Sequence, residues 1–249
     1  MKEHLTPNPG IDRRAFALGA LAVLALMSRP ALAAARLREH YQDFDVTALF
    51  NPYFPLVGGS GPALSEEQKT ADRILRHAHG CTPLQVMHYF ETLRIVNSDG
   101  EAYNGGWRDR ANPIILAFLN SVQTKTWPLG DRTSWCAASL NWILKRAGYQ
   151  GGTDSPLSGS FRDKPGLTTR PCPGDIVVFR DTDKTLSDQG FGHVCLYLHQ
   201  RKDAVFVLGG NQKNGFGHQA VCRKWVLKQD ENLTLHSFHS IEAFRYSAA

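Results

Sequence analysis

The sequence predicts an α+β fold, with helices in its first half and an antiparallel sheet in its second. Three observations carry this expectation. Capping patterns with apolar residues at helical spacing mark the stretch from 65 to 119, and a further helix begins at Cys136. From residue 176 onward the texture changes to short strand-like runs with short polar joins. Helices followed by a run of strands are the pattern of an α+β domain. The chain has 249 residues, 42% hydrophobic and 20% charged, as in an ordinary globular protein.

The N-terminus reads as an address. Asp12-Arg13-Arg14-Ala15-Phe16 precedes an apolar run over 17–27, and Ala31-Leu32-Ala33 is a cleavage-site pattern. The apolar run is too short for a bilayer span, which needs roughly 20 residues. The arginine pair followed by Phe16 resembles a twin-arginine export signal. The expectation is a signal peptide over 1–33, a periplasmic or secreted product, and no stable membrane insertion after cleavage. The formal charge is +5; residues 1–33 hold four basic and two acidic side chains, leaving +3 for the rest. That balance, with no run of Lys or Arg, argues against a nucleic-acid partner.

Residues 34–63 are rich in turn chemistry, with Asn51-Pro52 and a Gly-Gly-Ser-Gly-Pro stretch ending at Pro62. Ser65-Glu66-Glu67-Gln68 is a capping-box pattern, and Gly80 would stop that helix. Thr82-Pro83-Leu84-Gln85 is a second such pattern with Pro at the first helical position. A third helix starts at Asn112-Pro113 and runs through Ile115, Phe118 and Leu119. The helix from Cys136 to Ala147 places Ala137, Leu140, Ile143 and Leu144 on one face and stops at Gly148. A loop follows over 150–174. Strands are expected at 176–179, 193–198, 204–208, 220–227 and 241–246. A domain boundary is expected between a mainly helical region, 34–109, and a second region, 110–249.

Cys136 is the candidate nucleophile because of its place. Unpaired backbone N–H groups and the helix dipole favour an anion at a helix start, so the thiol should titrate low and the reactive thiolate should accumulate. The same N–H groups could hold an oxyanion. A base must lie within hydrogen-bond reach. His193 is the candidate, at the start of a strand in Gly192-His193-Val194. Asn211, after the next strand in Gly209-Gly210-Asn211-Gln212, is the candidate orienter of the imidazole. Trp135 and Gln212 are candidate substrate-binding residues. Each residue alone has a plain structural reading: a buried thiol, a hydrogen-bonding His, a turn Asn. Their order along the chain favours the joint reading. Cys195 and Cys172 are rival thiols without a helix start, and Pro173-Gly174-Asp175 reads as a structural turn. The five cysteines show no zinc-type spacing, and the glycines between 209 and 217 fit no nucleotide-binding pattern.

Four ordered stretches then carry a resemblance: Trp135 to Trp142, Pro173 to Phe179, Gly192 to Val194, and Leu208 to Gln212. Over about residues 110–246 the chain resembles the CHAP and NlpC/P60 group of papain-like cysteine amidases. The resemblance implies a papain-like fold, hydrolysis of amide bonds in peptidoglycan, and no metal or cofactor. It also implies Cys136 as nucleophile, His193 as base and Asn211 as orienter. Many members carry Glu two residues before the matching Asn, where this chain has Gly209. A muropeptide or peptidoglycan substrate is expected. A non-catalytic wall-binding module and a secreted toxin or acyltransferase are the alternatives.

Overall fold

The computed structural model describes residues 61–122, 131–150 and 152–245. The export signal expected over 1–33 lies outside them. Four helices precede the sheet: α1 (Ser65–His77), α2 (Pro83–Glu91), α3 (Pro113–Asn120) and α4 (Cys136–Arg146). The five strands are β1 (Ile176–Asp181), β2 (Gly192–Gln200), β3 (Ala204–Lys213), β4 (Gln219–Leu227) and β5 (Leu233–His239). A one-turn helix, α5 (Lys184–Asp188), capped by Asp183, joins β1 to β2. The strands form one antiparallel sheet in the order β4-β3-β2-β1-β5. The fold is therefore mixed α+β.

The helix starts follow their caps. Thr82 accepts the Gln85 N–H at 3.2 Å, and Gln85 Oε1 accepts the Thr82 N–H at 3.2 Å. Asn112 accepts the Ile114 N–H at 2.9 Å. At α1 the box sits one residue earlier than the sequence suggests. Leu64 is the N-cap, and Glu67 accepts its N–H at 2.8 Å. Glu67 is drawn inward because Arg110 donates to both its carboxylate oxygens, at 3.0 and 2.7 Å. Gln68 instead donates to the Ala63 carbonyl at 2.9 Å.

Helix α4 is buried on all sides except at Lys145, not on one face alone. Ala137, Ala138 and Ser139 are small enough to let it pass between α2, α3 and the sheet. The helix-side core joins α1 and α2 to α3, α4 and the inner residues Ile176, Val178, Val194, Leu196 and Leu208. A smaller cluster, including Val177, Phe179, Cys195 and Val207, covers the other sheet face.

The strand expected at 241–246 is absent among the described residues of that stretch. Ile241–Phe244 is a 3-10 turn, and the last strand is Leu233–His239. This edge strand is mostly half-exposed and mixes polar with apolar residues, so its pattern is weak. The buried carboxylate of Asp175 explains the turn. It accepts the Cys172 N–H at 2.7 Å and the Ile241 N–H at 2.9 Å, tying both ends of the sheet segment together.

Candidate active site

Cys136 is the first residue of α4, where the backbone N–H groups lack intrahelical acceptors. The N–H groups of Cys136, Ala137 and Val194 are directed at its sulfur and favour the thiolate. Burial acts the other way and outweighs them: Cys136 is 2% exposed, and its thiol is pushed up from the ordinary value. The helix start therefore acts in the expected direction, but the thiol does not titrate low. Trp135 does not line an open cleft. It is wholly buried, with its ring 6.2 Å from that of Phe118. A Cβ at Gly210 would lie 2.4 Å from that ring and 2.4 Å from Ser139 Oγ, so the β3 backbone rests directly on the start of α4.

His193 is the second residue of β2, paired across the ladder with Phe179 of β1. Gly192 makes this entry possible. Its φ is +148°, and a Cβ there would sit 2.2 Å from the Phe179 carbonyl oxygen. His193 is half-buried as a residue, with Nε2 fully sheltered and lacking a hydrogen-bond partner. Burial, with the charge of Lys224 adding to it, pushes the imidazole down to about 4, while the Gln212 side chain opposes the shift. The residue after His193 supplies the Val194 N–H that faces Cys136, so the α4 start and the β2 start meet at this point.

Strand β3 does not end at Leu208. It continues through a bulge to Lys213, the register passing from Gly209↔Cys222 to Gln212↔Ala220. The Leu196↔Leu208 pairing of β2 and β3, extended, would bring His193 opposite Asn211. The bulge changes which side chain arrives. Asn211 adopts φ 59°, in the left-handed region, and its Oδ1 is buried without a partner. The amide acting on His193 belongs to Gln212, read from the sequence as a substrate contact. Gln212 is 3% exposed and donates through Nε2 to the Cys222 carbonyl at 2.9 Å.

All five cysteines are free thiols. Cys195 is fully buried on the sheet face away from α4 and is pushed far up by burial, with the Cys136 sulfur adding to the effect. Cys172 is exposed on the turn that Asp175 organises. Lys224 and the Val194 N–H were not found from the sequence. The register of β4 alone brings Lys224 near His193, and a backbone group leaves no mark in a sequence. Among the described residues no three or more His, Cys, Asp or Glu side chains group as metal ligands. No family model, no curated protein and no solved structure matches the chain.

Proposed function

We propose that the chain is an exported cysteine hydrolase of papain-like type, cleaving amide bonds in peptidoglycan with Cys136 as nucleophile and His193 as base. One observation carries the reading. The Cys136 sulfur lies at a helix start within reach of three backbone N–H groups, the third of which, Val194, adjoins His193. Thiol and imidazole both rest uncharged, since burial raises one and lowers the other. The proton therefore passes from Sγ to His193 as the sulfur attacks the amide carbonyl. The carbonyl oxygen becomes an oxyanion, for which the N–H groups near the sulfur are suited donors. Collapse breaks the C–N bond, His193 protonates the leaving amine, and a thioester forms. Water then attacks the thioester, His193 takes its proton, and the thiol and a carboxylic acid result.

The test is mass spectrometry of muropeptides released from purified sacculi by the native chain and by Cys136→Ala. Release by the native chain alone is expected. Equal release by both removes Cys136 from the chemistry. The closed, uncharged state of Cys136 also favours a second reading, a wall-binding module that no longer cleaves. Retention on sacculi without any product would support it.

A further inference from the structure

We infer that Arg162, Arg180 and His236 form a binding site for an oxyanion, a carboxylate or phosphate group, taken up together with a proton on His236 Nε2. The site does not depend on the hydrolase chemistry. Register sets it on one sheet face. Strand β1 pairs with β5 as Val178↔Ser237, Phe179↔Leu235 and Arg180↔Thr234, so His236 is the extra residue of a bulge. Val178 belongs to the helix-side core, and Phe179 with Leu235 to the opposite one. Arg180, Thr234 and Ser237 therefore look to the helix side. The 3-10 turn Ser158–Phe161 packs on this same face of β1 and β2 through the buried Phe161. Arg162 follows it directly. Its guanidinium donates to the Ser187 and Phe191 carbonyls at 2.6 Å each, while Nε is sheltered and lacks a partner. The Phe191 carbonyl also accepts the Asp181 N–H at 3.3 Å, which ties Arg162 to the end of β1. Ser187, Arg180 and Thr234 line one cavity of about 470 Å³ there.

A hydrogen-bonded chain orients the third member. His239 Nδ1 lies 3.2 Å from the Pro165 carbonyl oxygen, which only accepts, so Nδ1 carries a proton. In the neutral ring Nε2 then accepts, and the Ser237 hydroxyl donates to it at 2.9 Å. The Ser237 oxygen, its own proton committed, accepts from His236 Nδ1 at 2.9 Å. Neutral His236 thus keeps its proton on Nδ1 and its lone pair on Nε2. A second proton adds at Nε2 and makes the ring a further donor. Burial, then the charges of Arg162 and Arg180, hold this imidazole below its ordinary value, with His239 adding to the effect and Asp163 opposing it. Burial, then Arg180, also lower Arg162, against Asp163 and Asp188. Of these neighbours, Asp188 is paired with Lys184 at 2.5 Å, and Asp181 accepts the Asp183 N–H at 2.9 Å. Among the described residues no carboxylate forms an ion pair with either guanidinium. Two guanidiniums and a protonated imidazole drawn together in this way repel one another. An oxyanion relieves that repulsion and can accept charge-assisted hydrogen bonds from them.

Nitrogen-15 NMR of the histidine-labelled full chain tests the imidazole, with His236→Gln to assign its signal. At pH 8 His236 should be neutral and protonated at Nδ1; protonation at Nε2 instead overturns the inference. Sodium sulfate is the probe, because its charge stays fixed while His236 titrates, and chloride holds the ionic strength constant. Sulfate should move the His236 signal saturably and raise its titration midpoint. Calorimetry should find sulfate bound about 5–150-fold more tightly at pH 5 than at pH 8. The sign follows from the added donor: protonated Nε2 holds the anion, and loss of that proton releases it. His236→Gln should remove this pH dependence. Arg180→Gln, at an exposed position, should weaken binding at least about tenfold. Acetate run in parallel separates a planar from a tetrahedral group, the tighter binder naming the class. No saturable binding of either anion, equal affinity at pH 5 and 8, or native affinity in folded Arg180→Gln would each overturn the site.

Discussion

Two opposing effects meet at the Cys136 sulfur. Backbone N–H groups at the helix start favour its negative charge, and removal from water disfavours it. Burial is the larger effect, so Cys136 should react slowly at neutral pH and faster as the pH rises past 9. Iodoacetamide labelling of each cysteine, read by peptide mass spectrometry from pH 5 to 10, checks this. A rate already level between pH 5 and 8 would mean a thiolate–imidazolium pair instead. His193 carries its own pH signature. Its folded value is about 4 against 6.5 for the unfolded chain, so between these values the unfolded state binds the extra proton. The stability from this group is complete above pH 6.5 and is lost as the pH falls toward 4. Melting curves from pH 7 to 4 should fall more steeply for the native chain than for His193→Gln. Parallel curves would show that His193 titrates normally.

At the scale of elements, the turns and caps carry the precision of the site. Asp175 holds the Cys172 and Ile241 N–H groups with one buried carboxylate. Asp175→Ala removes the carboxylate to which both N–H groups donate, a loss of about 1–3 kcal/mol at about 0.5–1.5 kcal/mol for each hydrogen bond. Urea unfolding should show the loss; a change under about 0.5 kcal/mol would match an ordinary surface site instead. Helix starts at Pro83 and Pro113 were legible because capping is local; the start at Cys136, which no side chain caps, was legible from apolar spacing and the stop at Gly148. The fifth strand was not. Leu233–His239 is an edge with few fully buried residues, while the apolar residues of Ile241–Phe244 suggested a strand where a 3-10 turn forms. Nor was the bulge in β3, because Gly209-Gly210-Asn211 reads equally well as a strand end.

Over the whole molecule, the expected boundary at 109/110 crosses a continuous core. The Phe90 ring of α2 meets those of Phe118 and Trp142 edge-on, at 5.2 and 5.5 Å. Arg146 of α4 reaches the C-terminus of α1, donating to the Ala78 carbonyl at 2.5 Å and the Arg76 carbonyl at 2.7 Å. A fragment spanning 110–249 would expose Phe118 and Trp142 and leave the face of α4 uncovered. It should be insoluble or lack a cooperative melt. A soluble fragment with a cooperative transition would show that α1 and α2 are dispensable. Helices α1 and α2 thus form part of the body that supports Cys136, not an appended unit.

The sequence by itself determined the fold class, most helix starts, four of the five strands in outline, and Cys136 and His193 as residues to examine. Caps, apolar periodicity and a thiol at a helix start are local features, written within a few neighbouring residues. Only the tertiary structure decided the charge state of the site and the amide that faces His193. Both depend on what strands far apart in the chain place around one point. Burial raises the Cys136 thiol against its helix terminus, and one extra residue in β3 exchanges Asn211 for Gln212 beside the imidazole. Solvent exclusion and sheet register belong to the assembled molecule, so no reading of neighbouring residues contains them.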